Sequence, residues 1–187
     1  MKKPKSALAL FLVVVLALLG SLTGCAVRAS PEKHEETRTL MNTFFTVTVY
    51  SDDKNLADKA IKAAYSRMEE IEHIASIFDP KAEAYRLNQN GYFDNPSLDL
   101  VRLIRLSIEY NRLTGGAFDI TVQPLLDIWG DKELKLWEKS PGEQQARVTE
   151  ALKLVDSNKI DITADRISFQ LKGMKITLGG IAKGYAA

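Results

Sequence analysis

Two glycine-rich stretches have the residue types and spacing that suit chemistry on a phosphorylated ligand. Leu178-Gly179-Gly180-Ile181-Ala182-Lys183-Gly184-Tyr185 runs from an apolar, strand-like segment into paired glycines and a helix start. Such a junction presents free backbone N–H groups and the positive end of a helix dipole, and Lys183 adds a cation. It has neither the spacing and hydroxyl of a Walker loop nor the dinucleotide glycine pattern. A tight helix–strand turn explains it about as well, with Lys183 as an exposed helix cation. Gly115-Gly116-Ala117-Phe118-Asp119 allows close backbone approach to a ligand and sets a carboxylate beside it. A helix stop followed by a turn accounts for this stretch equally, with Asp119 as a loop or capping residue.

These stretches need elements to hold them. Phe45, Val47 and Val49 alternate with Thr46, Thr48 and Tyr50, which predicts a half-buried strand. From Leu56 the period changes: Leu56, Ala60, Ala64, Met68, Ile71 and Ala75 predict an amphipathic helix ending near Phe78 at Asp79-Pro80. Tyr85 to Gly91 reads as loop. Ser97 caps a second helix with Val101, Ile104 and Ile108 on one face, stopped by Thr114-Gly115-Gly116. Pro124 to Trp129 reads as a short helical turn. Ser140-Pro141-Gly142-Glu143 has the cap, first-turn proline and capping-box acid of a helix running to about Leu154. Strand signals follow at Lys159–Ile162, Arg166–Phe169 and Met174–Leu178, and a helix begins at Ile181. Strands and helices mix without strict alternation, so the expected class is α+β, a mixed sheet with packed helices.

The N-terminus carries a different kind of signal. Lys2, Lys3 and Lys5 precede an apolar run from Ala7 to Leu19, then Gly20 and Ser21. This is the plan of a secretory signal peptide, and the run is short for a membrane span. Leu22-Thr23-Gly24-Cys25 matches the bacterial lipobox, so Cys25 is the expected lipidated N-terminus after removal of residues 1–24. The alternatives are an ordinary signal peptide with an incidental cysteine, or an N-terminal anchor helix. Lipidation places the protein on the cell membrane or outer membrane, facing away from the cytoplasm; Ala26 after the cysteine fits outer-membrane sorting where two membranes exist. Residues 25–37 are polar and read as a flexible tether, leaving residues 38–187 as the domain.

Composition closes off several classes. The chain has 187 residues, 45% hydrophobic and 26% charged, with formal charge +1. The leader takes three of the 25 basic residues with it and leaves the 24 acids in slight excess. That balance gives no electrostatic case for nucleic acid. A single cysteine excludes an internal disulfide framework and a thiolate zinc site, and His34 and His73 lie too far apart to suggest a histidine metal cluster.

Taken together and in order, these segments resemble the ApbE family of FAD:protein FMN transferases. The resemblance begins at Thr39-Leu40-Met41-Asn42-Thr43 and continues through Ser76-Ile77-Phe78-Asp79 and Tyr85-Arg86-Leu87-Asn88. It covers Leu113 to Asp119 with Pro124-Leu125 and Trp129-Gly130, and ends in Gly179 to Ala186. It implies Mg²⁺-dependent transfer of FMN from FAD to a Thr or Ser hydroxyl of an acceptor protein, with release of AMP. By position, Met41, Phe78, Ala117, Phe118, Asp119, Thr177 and Lys183 would contact FAD, and the Gly180 carbonyl would help hold the metal. Without the family, Met41 and Phe78 read as core, and Thr177 as a plain strand residue. Asn42 replaces the usual glycine, and Thr177 stands where many members have Asp. Members are about twice as long, so the resemblance makes this chain the N-terminal portion of the domain, ending at Ala187 inside a predicted helix and weakly active at most. The competing readings are a lipoprotein that only binds FAD, a Mg²⁺-dependent FAD hydrolase, and an inert truncated product.

Overall fold

The computed structural model describes residues 30–187; the leader, Cys25 and the start of the tether lie outside the described residues. Strand β1 (Lys33–Leu40) pairs antiparallel with β2 (Thr43–Tyr50). The register sets Leu40 opposite Thr43, leaving Met41-Asn42 as a two-residue turn with φ of 49° and 56°. Positive φ at both positions is the turn that matches strand twist. Asn42 tolerates that conformation where the resemblance expects glycine.

The tether therefore ends earlier than expected, because residues 33–37 are strand. The cause is the inward face of β1, where half-buried His34, Glu36 and Arg38 replace the apolar residues that would have announced it. The fold satisfies them. Arg38 pairs with Glu36 at 2.7 Å and lies 4.2 Å over the Tyr65 ring. The Tyr65 hydroxyl sits 2.6 Å from the Glu36 carbonyl, and His34 Nε2 reaches the Ser51 carbonyl at 2.9 Å.

Helix α1 (Lys54–Ala75) is capped by Asp53, which accepts from the Leu56 N–H. It buries Ala57, Ile61, Tyr65, Met68, Ile71 and Ala75. In its first turns that face lies one residue beyond the expected Leu56, Ala60 and Ala64, because Tyr65 goes inward with its hydroxyl satisfied while Leu56 stays exposed. The helix also stops at Ala75, before Phe78. Ile61, Tyr65 and Met68 pack under Phe45, Val47 and Val49.

The stretch expected as loop is instead helix α2 (Glu83–Asn90), followed by β3 (Tyr92–Asp94). Fully buried Ala84 and Leu87 provide its apolar side. The asparagines suggested turns, but Asn88 spends its side chain on a distant segment. Helix α3 (Leu98–Leu113) is capped by Ser97, buries Leu100, Leu103, Ile104 and Ser107, and ends at the two positive-φ glycines Gly115 and Gly116. Helix α4 (Gln123–Gly130) and α5 (Pro141–Leu152) follow, α5 with its full Ser140–Glu143 capping box. Strands β4 (Ile160–Ile162) and β5 (Arg166–Phe169) join β3 in a sheet of order β3-β5-β4. Among the described residues the strands of both sheets pair antiparallel. The α+β class is borne out.

Met174–Leu178 forms no sheet strand, contrary to its pattern. Its ladder bonds go elsewhere: Ile176 N–H donates to Asn88 Oδ1 at 2.8 Å, Asn88 Nδ2 donates to the Ile176 carbonyl at 2.8 Å, and Thr177 N–H donates to the Ile120 carbonyl at 2.7 Å. One asparagine amide thus stands in for a neighbouring strand, and buried Met174, Ile176 and Leu178 join Leu87, Leu100, Leu103 and Ile167 in the main core. Short helix α6 (Ala182–Ala186) follows.

A polar cluster joins three helices. Asp99 Oδ1 on α3 accepts from Arg67 Nη2 of α1 at 2.6 Å and from the Tyr185 hydroxyl of α6 at 2.7 Å. The Arg67 bond, then the Tyr185 bond, hold the Asp99 carboxyl below its ordinary range. Burial, then Asp99, push the Tyr185 phenol up. A carboxylate with a folded-state pKa below its unfolded value stabilises fully above that unfolded value, and the contribution fades as pH falls through the folded pKa. Asp99→Asn should therefore cost about 1–2 kcal/mol at neutral pH, and the gap to wild type should close below about pH 4. Urea denaturation at both pH values measures this; a gap independent of pH would refute it.

Candidate functional site

A cleft of about 850 Å³ opens between the β1–β2 turn, the C-terminal end of α1, helix α4 and the segment 175–183. Each wall has a local cause. The turn is pinned against α1 by Met41 N–H donating to Glu72 Oε1 at 2.7 Å, which brings Met41 to the rim. Past α1, Ser76 Oγ accepts from the Phe78 and Asp79 N–H groups, and Asp79 pairs with His73 at 3.1 Å. That tight turn holds Phe78 out at 85% exposure. On the opposite wall Lys175 Nζ meets Asp127 Oδ2 at 2.6 Å, and Gln123 Nε2 donates to Asp127 Oδ1 at 2.6 Å. A carboxylate only accepts, so the Gln123 amide nitrogen must face it. The Gln123 oxygen is left buried and without a partner among the described residues. Lys183 completes the cleft and makes no ion pair among the described residues.

Of the residues singled out in the sequence, Met41, Phe78, Thr177 and Lys183 line this one cleft. Phe118 and Gly180 line a second concavity, of about 610 Å³, with Tyr110 and Tyr185. The 179–184 segment divides the two, with Gly179 and Lys183 on the first side and Gly180 and Gly184 on the second. A Cβ at Gly180 would lie 3.2 Å from Phe118 Cε2, so a larger residue here would have to push the Phe118 ring aside by a few tenths of an ångström. Ala117 is exposed and lines neither.

Asp119 is occupied internally. Its Oδ1 accepts from the Thr121 N–H at 2.8 Å, the Thr121 hydroxyl at 2.5 Å and the Ser157 hydroxyl at 2.6 Å. Its Oδ2 accepts from Asn111 Nδ2 at 3.0 Å and the Ser157 N–H at 3.2 Å. A carboxylate offers about four lone-pair sites, so the side chain has no capacity left for a ligand. A nucleotide contact from residues 117–119 would have to come from backbone.

Sequence reading missed Gln123, Asp127 and Lys175. The i,i+4 spacing of Gln123 and Asp127 in an otherwise apolar helix was the available signal. Lys175 could not have been joined to them without the fold.

Residues 41–187 match the ApbE family. The chain belongs to that family. It is 28% identical to a FAD:protein FMN transferase of Haemophilus influenzae over 92% of this chain and 51% of that one. It is 26% identical to the Vibrio cholerae FAD:protein FMN transferase over 92% of this chain and 52% of the relative. Among solved structures, the ApbE protein of Thermotoga maritima aligns with a TM-score of 0.71 and 27% identity, covering 83% of this chain and 50% of that one. The chain thus spans about half the length of the ApbE relatives it matches.

An exposed aromatic, a free cation and an unmet buried acceptor suit a ligand with a flat ring, phosphates and N–H donors, which describes FAD. Magnesium fits less well: among the described residues no group of three or more His, Cys, Asp or Glu side chains converges. Gly180 would contribute a carbonyl only.

Phe78→Ala should weaken FAD binding about tenfold, the value of one well-stacked aromatic. Because the side chain is exposed, thermal stability should stay within about 2 °C of wild type. Flavin fluorescence titration beside a melting curve checks both; unchanged affinity would remove Phe78 from the site.

Proposed function

We propose that this chain carries the FAD-holding cleft of a lipid-anchored flavin transferase. The reading rests on one observation: Met41, Phe78, Thr177 and Lys183, distant in sequence, line a single cleft of the size a dinucleotide needs. FAD supplies an FMN group joined through a pyrophosphate to AMP. An acceptor Ser or Thr oxygen forms a bond to the FMN phosphorus, the bond from that phosphorus to the AMP phosphate breaks, and the hydroxyl proton is released. Negative charge on the pyrophosphate repels an incoming oxygen, and a lysine held nearby lowers that barrier. Lys183 is the cation of this chain for that role, Phe78 packs on a ring, and the Gln123 oxygen takes a ring or sugar donor. Magnesium enters the proposal as the requirement that the family resemblance implies; no cluster of carboxylates among the described residues is gathered to hold it. The lipobox at Leu22–Cys25 supports attachment to the outer face of a membrane. No helix among the described residues is long and apolar enough to cross a membrane.

The test incubates the protein with FAD, Mg²⁺ and an acceptor domain and weighs the acceptor. A mass gain of one FMN on a small fraction of the acceptor, with AMP in equal amount, is the expected result for this chain, whose activity is expected to be weak at most. AMP with no gain in acceptor mass would make the reaction hydrolysis, and FAD bound but unchanged would make the protein a binder.

A further inference from the structure

The Asp99 cluster reaches the cleft through α6. Lys183 and Tyr185 are two positions apart, which on a helix sets them about 200° around the axis. Lys183 lines the large cleft, while the Tyr185 hydroxyl turns away and donates to Asp99 Oδ1 at 2.7 Å. Asp99 is anchored in turn by Arg67 at 2.6 Å, with its side chain only 14% exposed. In the preceding turn a Cβ at Gly179 would meet only the Thr177 hydroxyl, at 3.5 Å, whereas one at Gly180 would meet Phe118 at 3.2 Å. Ile181 and Ala182 seat the start of the helix in the main core, and the bond from Tyr185 is a side-chain tie on the same helix that carries the cation.

We propose that Tyr185, through Asp99 and Arg67, is a positioning residue that aims Lys183 at the phosphates of the bound nucleotide. This rests on the FAD reading of the cleft. Without the tie, α6 rotates or frays and Lys183 keeps its charge but loses its direction. Its effect should therefore appear only through Lys183 and only for ligands that carry phosphate.

A double-mutant cycle on the full chain tests this, with affinities for FAD and riboflavin read by fluorescence or calorimetry. Lys183→Ala should weaken FAD about tenfold. Tyr185→Phe, which removes one oxygen, should weaken FAD at least about threefold. The double variant should bind no worse than Lys183→Ala, and riboflavin affinity should be unchanged throughout. Asp99→Asn keeps an oxygen that can accept from the phenol and should fall between wild type and Tyr185→Phe. Hydrogen exchange of the 182–186 amides should quicken in Tyr185→Phe while the α3 amides stay protected. Multiplying losses, an equal loss for riboflavin, or wild-type FAD affinity in Tyr185→Phe would each overturn the positioning role. If Lys183→Ala binds FAD normally, or the unmodified chain does not bind it, the cleft reading itself fails and the tie has no ligand to serve.

Discussion

Asp119→Ala should lower stability by about 3–5 kcal/mol, the largest effect expected of any single substitution near the site. Five donors converge on this carboxylate, and two of the residues that supply them, Thr121 and Ser157, are fully or almost fully buried. Removing the acceptor leaves several donors unmet, and each buried unmet donor costs about 1–3 kcal/mol. For a domain of this size the melting temperature should fall by roughly 10 °C. Asp119→Asn should be intermediate, because its oxygen still accepts while its amino group faces donors. A thermal scan decides the matter. A variant as stable as wild type but unable to bind FAD would give the carboxylate to the ligand instead.

Asn88→Ala is the second large effect, with an expected cost of about 2–4 kcal/mol. Both edges of its amide bond the Ile176 backbone, at 2.8 Å each, across 88 residues of chain. Ile176 is fully buried, so alanine leaves a backbone N–H and a carbonyl with neither partner nor water. The damage should spread to the cleft, because Lys175 and Thr177 flank the freed residue. Exchange at the Ile176 amide should rise well beyond that at core amides of α3 such as Ile104. Equal protection of Ile176 in Asn88→Ala and wild type would contradict this account.

Both residues bear on how much the chain reveals before it is folded. The caps at Ser97 and Ser140, the stop at Gly115-Gly116 and the alternation of β2 were legible, since each is decided by residues within one turn of each other. Strand β1 was not, because its inner side chains are His34, Glu36 and Arg38, and their burial makes sense only once Tyr65 lies beneath them. Helix α2 hid behind asparagines that look like turn formers. Met174–Leu178 has a strand's pattern but a side-chain partner, and nothing in a local window announces that. At the site, the order of motifs was enough to propose Met41, Phe78, Thr177 and Lys183, which do share a cleft. It did not separate Asp119, whose carboxylate serves the scaffold, nor find the Gln123–Asp127–Lys175 group, which exists only across the cleft. The proposed lipid anchor at Cys25 rests on the lipobox alone and lies outside the described residues.

The proposed function requires that residues of this chain hold FAD. Isothermal titration of FAD into the chain should show one saturable site per chain, weakened about tenfold by Phe78→Ala and by Lys183→Ala. Heat of dilution alone, or binding that neither substitution alters, would contradict it.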